Sequence, residues 1–118
     1  MSRRGDVVIV QFPYVRGGRG KNRPALVVQS DRNNGRLQNT ILAMISGNVR
    51  LASKEPTQIL IDPATAEGRG SGLRGTSAVK CENLFTVSQN DILRTIGALH
   101  PSLMQRVDAA LKSSLDLP

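Results

Sequence analysis

Residues 24–29 read PALVVQ, and residues 6–12 read DVVIVQF; these two apolar stretches decide the fold. Both are short, rich in β-branched residues and flanked by turn-forming or polar residues, which is typical of buried strands. Between them, residues 13–22 contain three glycines and three basic side chains and show no repeating apolar pattern, so they predict a loop. The chain therefore begins with two strands joined by a basic loop.

More strands are predicted downstream of this pair. They cover residues 40–46, 58–61, 76–84 and 92–99, while residues 31–36, DRNNGR, have the composition of a turn. Together with the first two strands, they predict a mainly β fold in one domain over residues 1–118.

The spacing of apolar residues changes after residue 101, where Leu103, Val107 and Leu111 recur every four residues, as on one face of a helix. Ser102, with Gln105 three residues later, suggests a capping box at the start of this helix. A run of short strands followed by one C-terminal helix predicts a small β-barrel or sandwich with a helix packed on it.

The charge balance points to a polyanionic partner. The 118 residues contain 16 Lys and Arg against nine Asp and Glu, which gives a formal net charge of +7 and an isoelectric point near 10.8. In a chain this small, such an excess favours nucleic acid or an acidic protein, although a solvated basic surface has the same composition.

Composition also excludes several kinds of site. With one cysteine, Cys81, and one histidine, His100, the chain cannot form an internal disulfide or a His/Cys metal centre. His100 precedes Pro101 at the start of the tail helix, where a surface or capping role is expected. No apolar stretch approaches the roughly 20 residues of a membrane span. We therefore expect a soluble cytoplasmic protein without a metal or cofactor.

The remaining side chains suit phosphodiester chemistry on RNA, which supplies its own 2′-hydroxyl nucleophile. Pro24 restricts Arg23 to extended geometry, and the guanidinium fork of Arg23 could stabilise charge that develops on a phosphate. Ser46 ends the third strand on the face of Leu42 and Met44, where its hydroxyl could donate to a phosphate oxygen. An ordinary surface arginine and a strand-end hydroxyl bonded to the backbone are the alternatives.

Residues 78–82, AVKCE, have an informative alternation. In a strand, Val79 and Cys81 share one face, and Lys80 and Glu82 share the other. Cys81 is then a core thiol, while Lys80 could hold a phosphate and Glu82 could act as a base. The alternative is a weak, exposed ion pair between the two charged side chains.

Taken in order, these pieces resemble the MazF/PemK toxins of bacterial toxin–antitoxin pairs. The resemblance covers almost the whole chain. It lies in RGDV at 4–7, RPALVVQSD at 23–31, AMIS at 43–46, GL at 72–73, VKCENL at 79–84, IGAL at 96–99 and the amphipathic tail helix. Each motif is short, and their order and spacing together make the resemblance specific.

The resemblance implies a fold, an activity and partners. The fold would be an SH3-like barrel of the PemK/CcdB type with a C-terminal helix, assembled as a homodimer. The activity would be metal-independent, sequence-selective cleavage of single-stranded RNA by 2′-hydroxyl attack, with a 2′,3′-cyclic phosphate product. A cognate MazE/PemI-like antitoxin would block the RNA groove. The related CcdB toxins share the barrel but bind DNA gyrase, so a non-catalytic binding protein is the alternative.

The family's functional positions carry over residue by residue. Arg23 falls on the key arginine before the proline of the second strand, where it would stabilise the transition state. Ser46 stands where the family usually has Thr and would bind a phosphate oxygen. Lys80 and Glu82 stand where the PemK/Kid branch has an arginine and an aspartate flanking a Cys, and they would bind RNA or assist proton transfer.

The first loop departs from the family pattern. Many members have a Glu or Gln there, whereas residues 17–22 read GGRGKN and contain no acid. Arg19, Lys21 and Asn22 are assigned to RNA binding or to an auxiliary acid–base role. Arg16, Arg19 and Lys21 would lie on a mobile loop that closes over the RNA and gives salt-sensitive attraction.

Overall fold

A computed structural model describes residues 1–12 and 21–118 of the chain. In chain order its elements are β1 (Asp6–Phe12), β2 (Lys21–Val27), α1 (Asp31–Arg36), β3 (Asn39–Ser46), β4 (Gln58–Ile61), β5 (Ser77–Ser88), β6 (Ile92–Ala98) and α2 (Pro101–Leu115). Short 3₁₀ turns at Arg69–Ser71 and Gln89–Asp91 precede β5 and β6. The predicted bounds of β1 and β4 agree with the structure.

The six strands of the described chain form one antiparallel sheet in the order β4-β5-β3-β2-β1-β6. The helix α2 packs against β4 and β5 at one side of this sheet. The prediction of a mainly β fold with a C-terminal helix is therefore confirmed.

Both faces of the sheet are buried along much of its length. On one face Leu26, Ile45 and Val79 pack with Leu103 and Val107 of α2. A second buried cluster comprises Val8, Val10, Ala25, Val27 and Leu42 on the alternate residues of β1, β2 and β3. Burial on both faces explains why these strands are nearly continuous apolar runs in the sequence.

The strand β2 begins earlier than predicted, so the assignment of Lys21 and Asn22 to a loop is wrong. Lys21 lies opposite Phe12 and Asn22 lies opposite Gln11 in the ladder with β1. A pairing partner in β1 gives their backbone groups hydrogen bonds that composition does not reveal. Arg23 therefore lies within β2 and not at its head. The rest of the expected loop, with Arg16 and Arg19, lies outside the described residues.

Residues 31–36 form a short helix, so the prediction of a turn there is wrong. The Ser30 hydroxyl oxygen accepts the backbone N–H of Asn33 at 3.2 Å and caps the first turn. The buried side chain of Asn34 accepts a hydrogen bond from the Thr40 hydroxyl at 2.7 Å. Turn-forming residues are also good helix caps, and these contacts with β3 favour the helix.

The start of α2 also differs from the predicted capping box at Ser102. The cap is His100, whose Nδ1 accepts the backbone N–H of Ser102 at 3.1 Å. Pro101 is the first helical residue, where its missing N–H costs no intrahelical hydrogen bond. The Ser102 hydroxyl donates instead to Glu67 at 2.8 Å. The expected capping role of His100 is confirmed.

The third, fifth and sixth strands differ from their predicted bounds only at the ends. The largest change is in β5, which continues four residues past Leu84 to Ser88 because β3 pairs with it as far as Asn39. Neither helix in the described part of the chain has the length and apolar character needed to cross a bilayer.

Candidate functional site

Arg23 and Ser46 lie on the same face of the sheet. The ladder between β2 and β3 is paired up to Ala25 opposite Met44. The same register continued by two residues places Arg23 opposite Ser46. Strand alternation keeps both on the face of Ala25 and Met44, and both side chains are half-buried. The two residues are 23 positions apart in the chain, and the fold places them on the same face of neighbouring strands.

The guanidinium of Arg23 makes no ion pair with the residues that the structure describes. The ion pairs there join Arg4 to Asp108 at 2.7 Å and Arg106 to Glu67 at 3.8 Å. A half-buried guanidinium without a carboxylate partner retains its donors for a ligand.

Ser46 has the strand-end hydrogen bond that was considered as its alternative role. Its hydroxyl oxygen accepts the backbone N–H of Asn48 at 3.1 Å, which shapes the turn after β3. This bond uses one lone pair of the oxygen and leaves the O–H free to donate. A structural role and a phosphate-binding role are therefore compatible in the same side chain.

Lys80 adds a second cation to this face. It lies opposite Met44 on β3 and opposite Gln58 on β4, so it stands between these two strands. Two residues along β5, Ala78 lies opposite Ser46, which places the lysine one pleat away from the serine on the same face. The amine and the Arg23 guanidinium together make this end of the sheet positive.

Glu82 does not pair with Lys80, so the ion-pair alternative is wrong. A register shift places Leu84 opposite Ala43 and Lys80 opposite Met44, which leaves residues 81–83 as a bulge of β5. The Glu82 carboxylate accepts the Thr57 hydroxyl at 3.1 Å and the Gln58 amide N–H at 2.7 Å.

These two neutral donors hold the Glu82 carboxylate in an exposed position. Among the described residues it has no cation within 4.0 Å. A carboxylate that is oriented but not neutralised remains free to accept a proton. The amide oxygen of Gln58 is buried and has no hydrogen-bond partner in the described part of the chain.

Cys81 belongs to the core, as predicted. Its side chain is 0% exposed among Val79 and the apolar residues under α2. Burial, and to a smaller degree the charge of Glu82, raises the pKa of the thiol to about 11, although Arg4 opposes this rise. A thiol that stays protonated at neutral pH is a poor nucleophile, so it has no catalytic role.

The two described residues from the expected loop face opposite sides of β2. Lys21 is exposed and shares the face of Arg23, whereas Asn22 points to the other face. Arg19 lies outside the described residues. The structure therefore gathers Lys21, Arg23, Ser46 and Lys80 on one face and excludes Asn22 from it.

Thr57 and Gln58 were not identified from the sequence. They lie 25 and 24 residues before Glu82, and only the pairing of β4 with β5 brings them together. Neither residue belongs to a recognisable motif, so no signal in the sequence indicated their contact with the carboxylate.

This arrangement defines a class of protein. Two cations, Arg23 and Lys80, share a face of the sheet with the Ser46 hydroxyl, and the Glu82 carboxylate is oriented by two hydrogen bonds. These groups suit an enzyme that acts on a phosphodiester. The PemK-like, MazF-like toxin family of type II toxin–antitoxin systems matches residues 3–115. The chain belongs to this family.

Relatives and solved structures agree with this assignment. Endoribonuclease MazF9 of Mycobacterium tuberculosis is 31% identical over 121 residues, covering 99% of this chain and 98% of the relative. Endoribonuclease EndoA of Bacillus subtilis is 32% identical over 116 residues, covering 98% and 95%. A mycobacterial endoribonuclease solved with its cognate antitoxin has the same fold, with a TM-score of 0.80, 21% identity and coverage of 100% and 98%.

These comparisons confirm the predicted family and the predicted PemK-type barrel with a C-terminal helix. The curated relatives are endoribonucleases, which confirms the prediction of an RNA-cutting toxin over the gyrase-binding alternative.

Proposed function

We propose that this protein is the toxin of a type II toxin–antitoxin pair and cleaves single-stranded RNA at selected sequences, using the RNA's own 2′-hydroxyl as nucleophile. The observation that carries the proposal is the shared face of Arg23 on β2, Ser46 on β3 and Lys80 on β5, which are neighbouring strands of the sheet. The proposed chemistry needs charge stabilisation and proton transfer but no metal ion.

In this proposal the guanidinium of Arg23 binds the phosphate that is attacked. The 2′-hydroxyl attacks the phosphorus, a bond forms between them, and the bond to the 5′-oxygen of the next nucleotide breaks. Negative charge develops on the phosphate oxygens in the transition state, and the planar guanidinium of Arg23 stabilises it by donating hydrogen bonds. The Ser46 hydroxyl donates to one of these oxygens, and Lys80 adds a positive charge nearby.

Glu82 is the proposed base. Its carboxylate is exposed and oriented by Thr57 and Gln58, so it can take the proton that leaves the 2′-hydroxyl. The leaving 5′-oxygen takes a proton from the solvent, and Glu82 later releases its proton to the solvent, so the protein returns to its starting state. The products are a 2′,3′-cyclic phosphate and a free 5′-hydroxyl on the second fragment.

The proposal includes a cognate MazE/PemI-like antitoxin, a homodimer and a cytoplasmic location, with residues 1–118 acting as one toxin domain. An antitoxin is supported by a structural neighbour solved with its own antitoxin. The net charge of +7 favours an acidic protein partner as well as RNA. RNA and antitoxin would compete for the face of Arg23.

A cleavage assay tests the proposal. Purified protein is incubated with a long single-stranded RNA in excess EDTA, and the product ends are mapped. We expect 2′,3′-cyclic phosphate ends, and Arg23→Ala should lower the rate about 10²–10³-fold because it removes a preorganised donor. Arg23→Lys should give an intermediate rate, since it keeps the charge but loses the bidentate fork.

Arg32→Ala is the matched control, because Arg32 is exposed on α1, beyond the opposite end of β2 from Arg23. It removes the same charge and should leave the rate within about twofold. No cleavage by the unaltered protein, or equal cleavage by Arg23→Ala, would contradict the proposal.

A further inference from the structure

A groove of about 490 Å³ lies on the sheet face opposite to Arg23. Its floor is apolar and includes Ile9 of β1, Pro24 of β2 and Ile96 of β6. Leu73, in the segment before β5, forms a side wall. None of these residues belongs to the catalytic face described above, so the groove is a separate feature of the molecule.

Two arginines border this apolar floor. Arg74 precedes β5 and Arg94 lies on β6 opposite Ile9, and both side chains are exposed. Neither makes an ion pair with the residues that the structure describes. The described lining contains no acidic residue, so the two positive charges are not neutralised within the groove.

Close backbone contacts fix the wall that carries Arg74. Gly72 has a φ of +75°, and a Cβ there would lie 2.0 Å from the carbonyl oxygen of Ile96. A Cβ on Gly97 would lie 2.4 Å from the carbonyl oxygen of Gly70. Glycines at both positions allow the segment before β5 to press against β6, so the wall is formed before any ligand binds.

The groove and the catalytic face share the first residues of β2. Asn22 lines the groove, and the next residue of β2 is Arg23, whose side chain points to the other face. The volume is within the range of about 300–1,000 Å³ that is usual for pockets of small ligands, which include a nucleotide.

We infer that this groove binds a nucleotide of the RNA substrate that flanks the cleaved phosphodiester, with its base on the apolar floor and its phosphate between Arg74 and Arg94. The inference rests on the proposed endoribonuclease function. Arginine donates to phosphate oxygens with a planar fork and also stacks on bases, so two arginines beside an apolar floor suit a nucleotide. Because Asn22 of the groove and Arg23 are consecutive in β2, an RNA that is cleaved at Arg23 is the polyanion expected nearest to the groove, which favours RNA over an acidic peptide.

Binding of RNA of two lengths tests the inference. The shortest RNA that the protein cuts is determined first, and it is then extended on the 5′ or the 3′ side by two to three nucleotides. Each RNA is made with a 2′-deoxyribose at the cleaved position, so that it binds without reacting. The measurement is the ratio of the Kd values for the short and the extended RNA, and an extension on one side should tighten binding severalfold.

Gly75 provides a matched pair of variants. No described atom lies within 4 Å of a Cβ at this position, and its φ is outside the left-handed region. Gly75→Glu and Gly75→Gln therefore add side chains of almost equal size, of which only the first is charged. We expect Gly75→Glu to abolish the gain from extension, and Gly75→Gln to retain most of it. The double variant Arg74→Ala/Arg94→Ala should also abolish it, while Arg32→Ala should not.

Each result distinguishes between the proposals. If the protein cuts RNA but the gain from extension is equal in all variants, or if there is no gain, the inference is overturned and the proposed function stands. If Gly75→Glu weakens binding of the cognate antitoxin but not of the extended RNA, the groove is a peptide site and the inference is overturned. If the unaltered protein cuts no RNA, the proposed function itself fails. Thermal melting of every variant checks that it is folded.

Discussion

At the level of single residues, Cys81 shows how closely core and site are joined in this chain. Its neighbours Lys80 and Glu82 point towards the candidate site, while its own thiol is buried and has a pKa raised from 9.0 to about 11. The thiol therefore stays protonated in the folded state at pH values where it ionises in the unfolded state.

This difference predicts a pH dependence of stability. Below about pH 9 the thiol is protonated in both states and contributes no slope. Between pH 9 and 11 only the unfolded state ionises, so the free energy of unfolding should fall by about 2–3 kcal/mol more than in Cys81→Ala. Urea unfolding of both proteins from pH 7 to pH 11 measures this difference, and parallel pH curves for the two would contradict it.

Residue positions within strands were the most predictable part of the candidate site. Period-two alternation alone placed Ser46 with Met44 and separated Cys81 from Lys80, because every strand imposes that alternation. The partners of Glu82 were not predictable, since they depend on the register between β4 and β5. Alternation gives the face of a side chain, and only pairing gives its neighbours.

At the level of elements, the segment between β4 and β5 depends on Gly72, which packs against β6. Gly72 and Gly75 are three residues apart, but only Gly72 has a positive φ and a backbone carbonyl in the space of its missing Cβ. We expect Gly72→Ala to lower the free energy of unfolding by at least about 2 kcal/mol, because the strain and the clash must both be relieved.

Gly75→Ala is the control for this prediction. It has open space and an ordinary φ, so its effect should stay within about 1 kcal/mol and could be stabilising. Urea unfolding of the two variants decides the matter. Equal stability of Gly72→Ala and Gly75→Ala would show that the contact with β6 does not constrain this segment.

The elements that the sequence did not predict correctly are those decided by tertiary contacts. The α1 helix has turn composition, but it is fixed by the hydrogen bond from Thr40 to Asn34, which reaches across to β3. The start of β2 depends on its partner in β1, and the bulge at residues 81–83 depends on a register shift against β3. The bounds of β1 and β4 were predicted correctly from the sequence, because each strand is a short apolar run that ends at polar or turn-forming residues.

At the level of the whole molecule, most positive side chains are not neutralised by ion pairs among the described residues. The net charge is +7, and the described part of the chain contains only two ion pairs, both of which tie down α2 or its flanking loop. Lys21, Arg23 and Lys80 share one face without carboxylate partners among the described residues. Such a surface attracts a polyanion, and the attraction weakens as salt screens it.

This excess charge predicts a salt dependence of RNA cleavage. Each phosphate neutralised on a single strand contributes about −0.7 to the slope of log K against log salt, so three cations give a slope of about −2 or steeper. Between about 50 and 200 mM salt, kcat/KM at subsaturating RNA should therefore fall roughly tenfold or more, while kcat at saturation changes little. Lys21→Ala should flatten the slope by about 0.7, and Arg32→Ala should not, since both remove one positive charge but only Lys21 shares the face of Arg23. A slope near zero would mean that the positive surface does not meet the RNA.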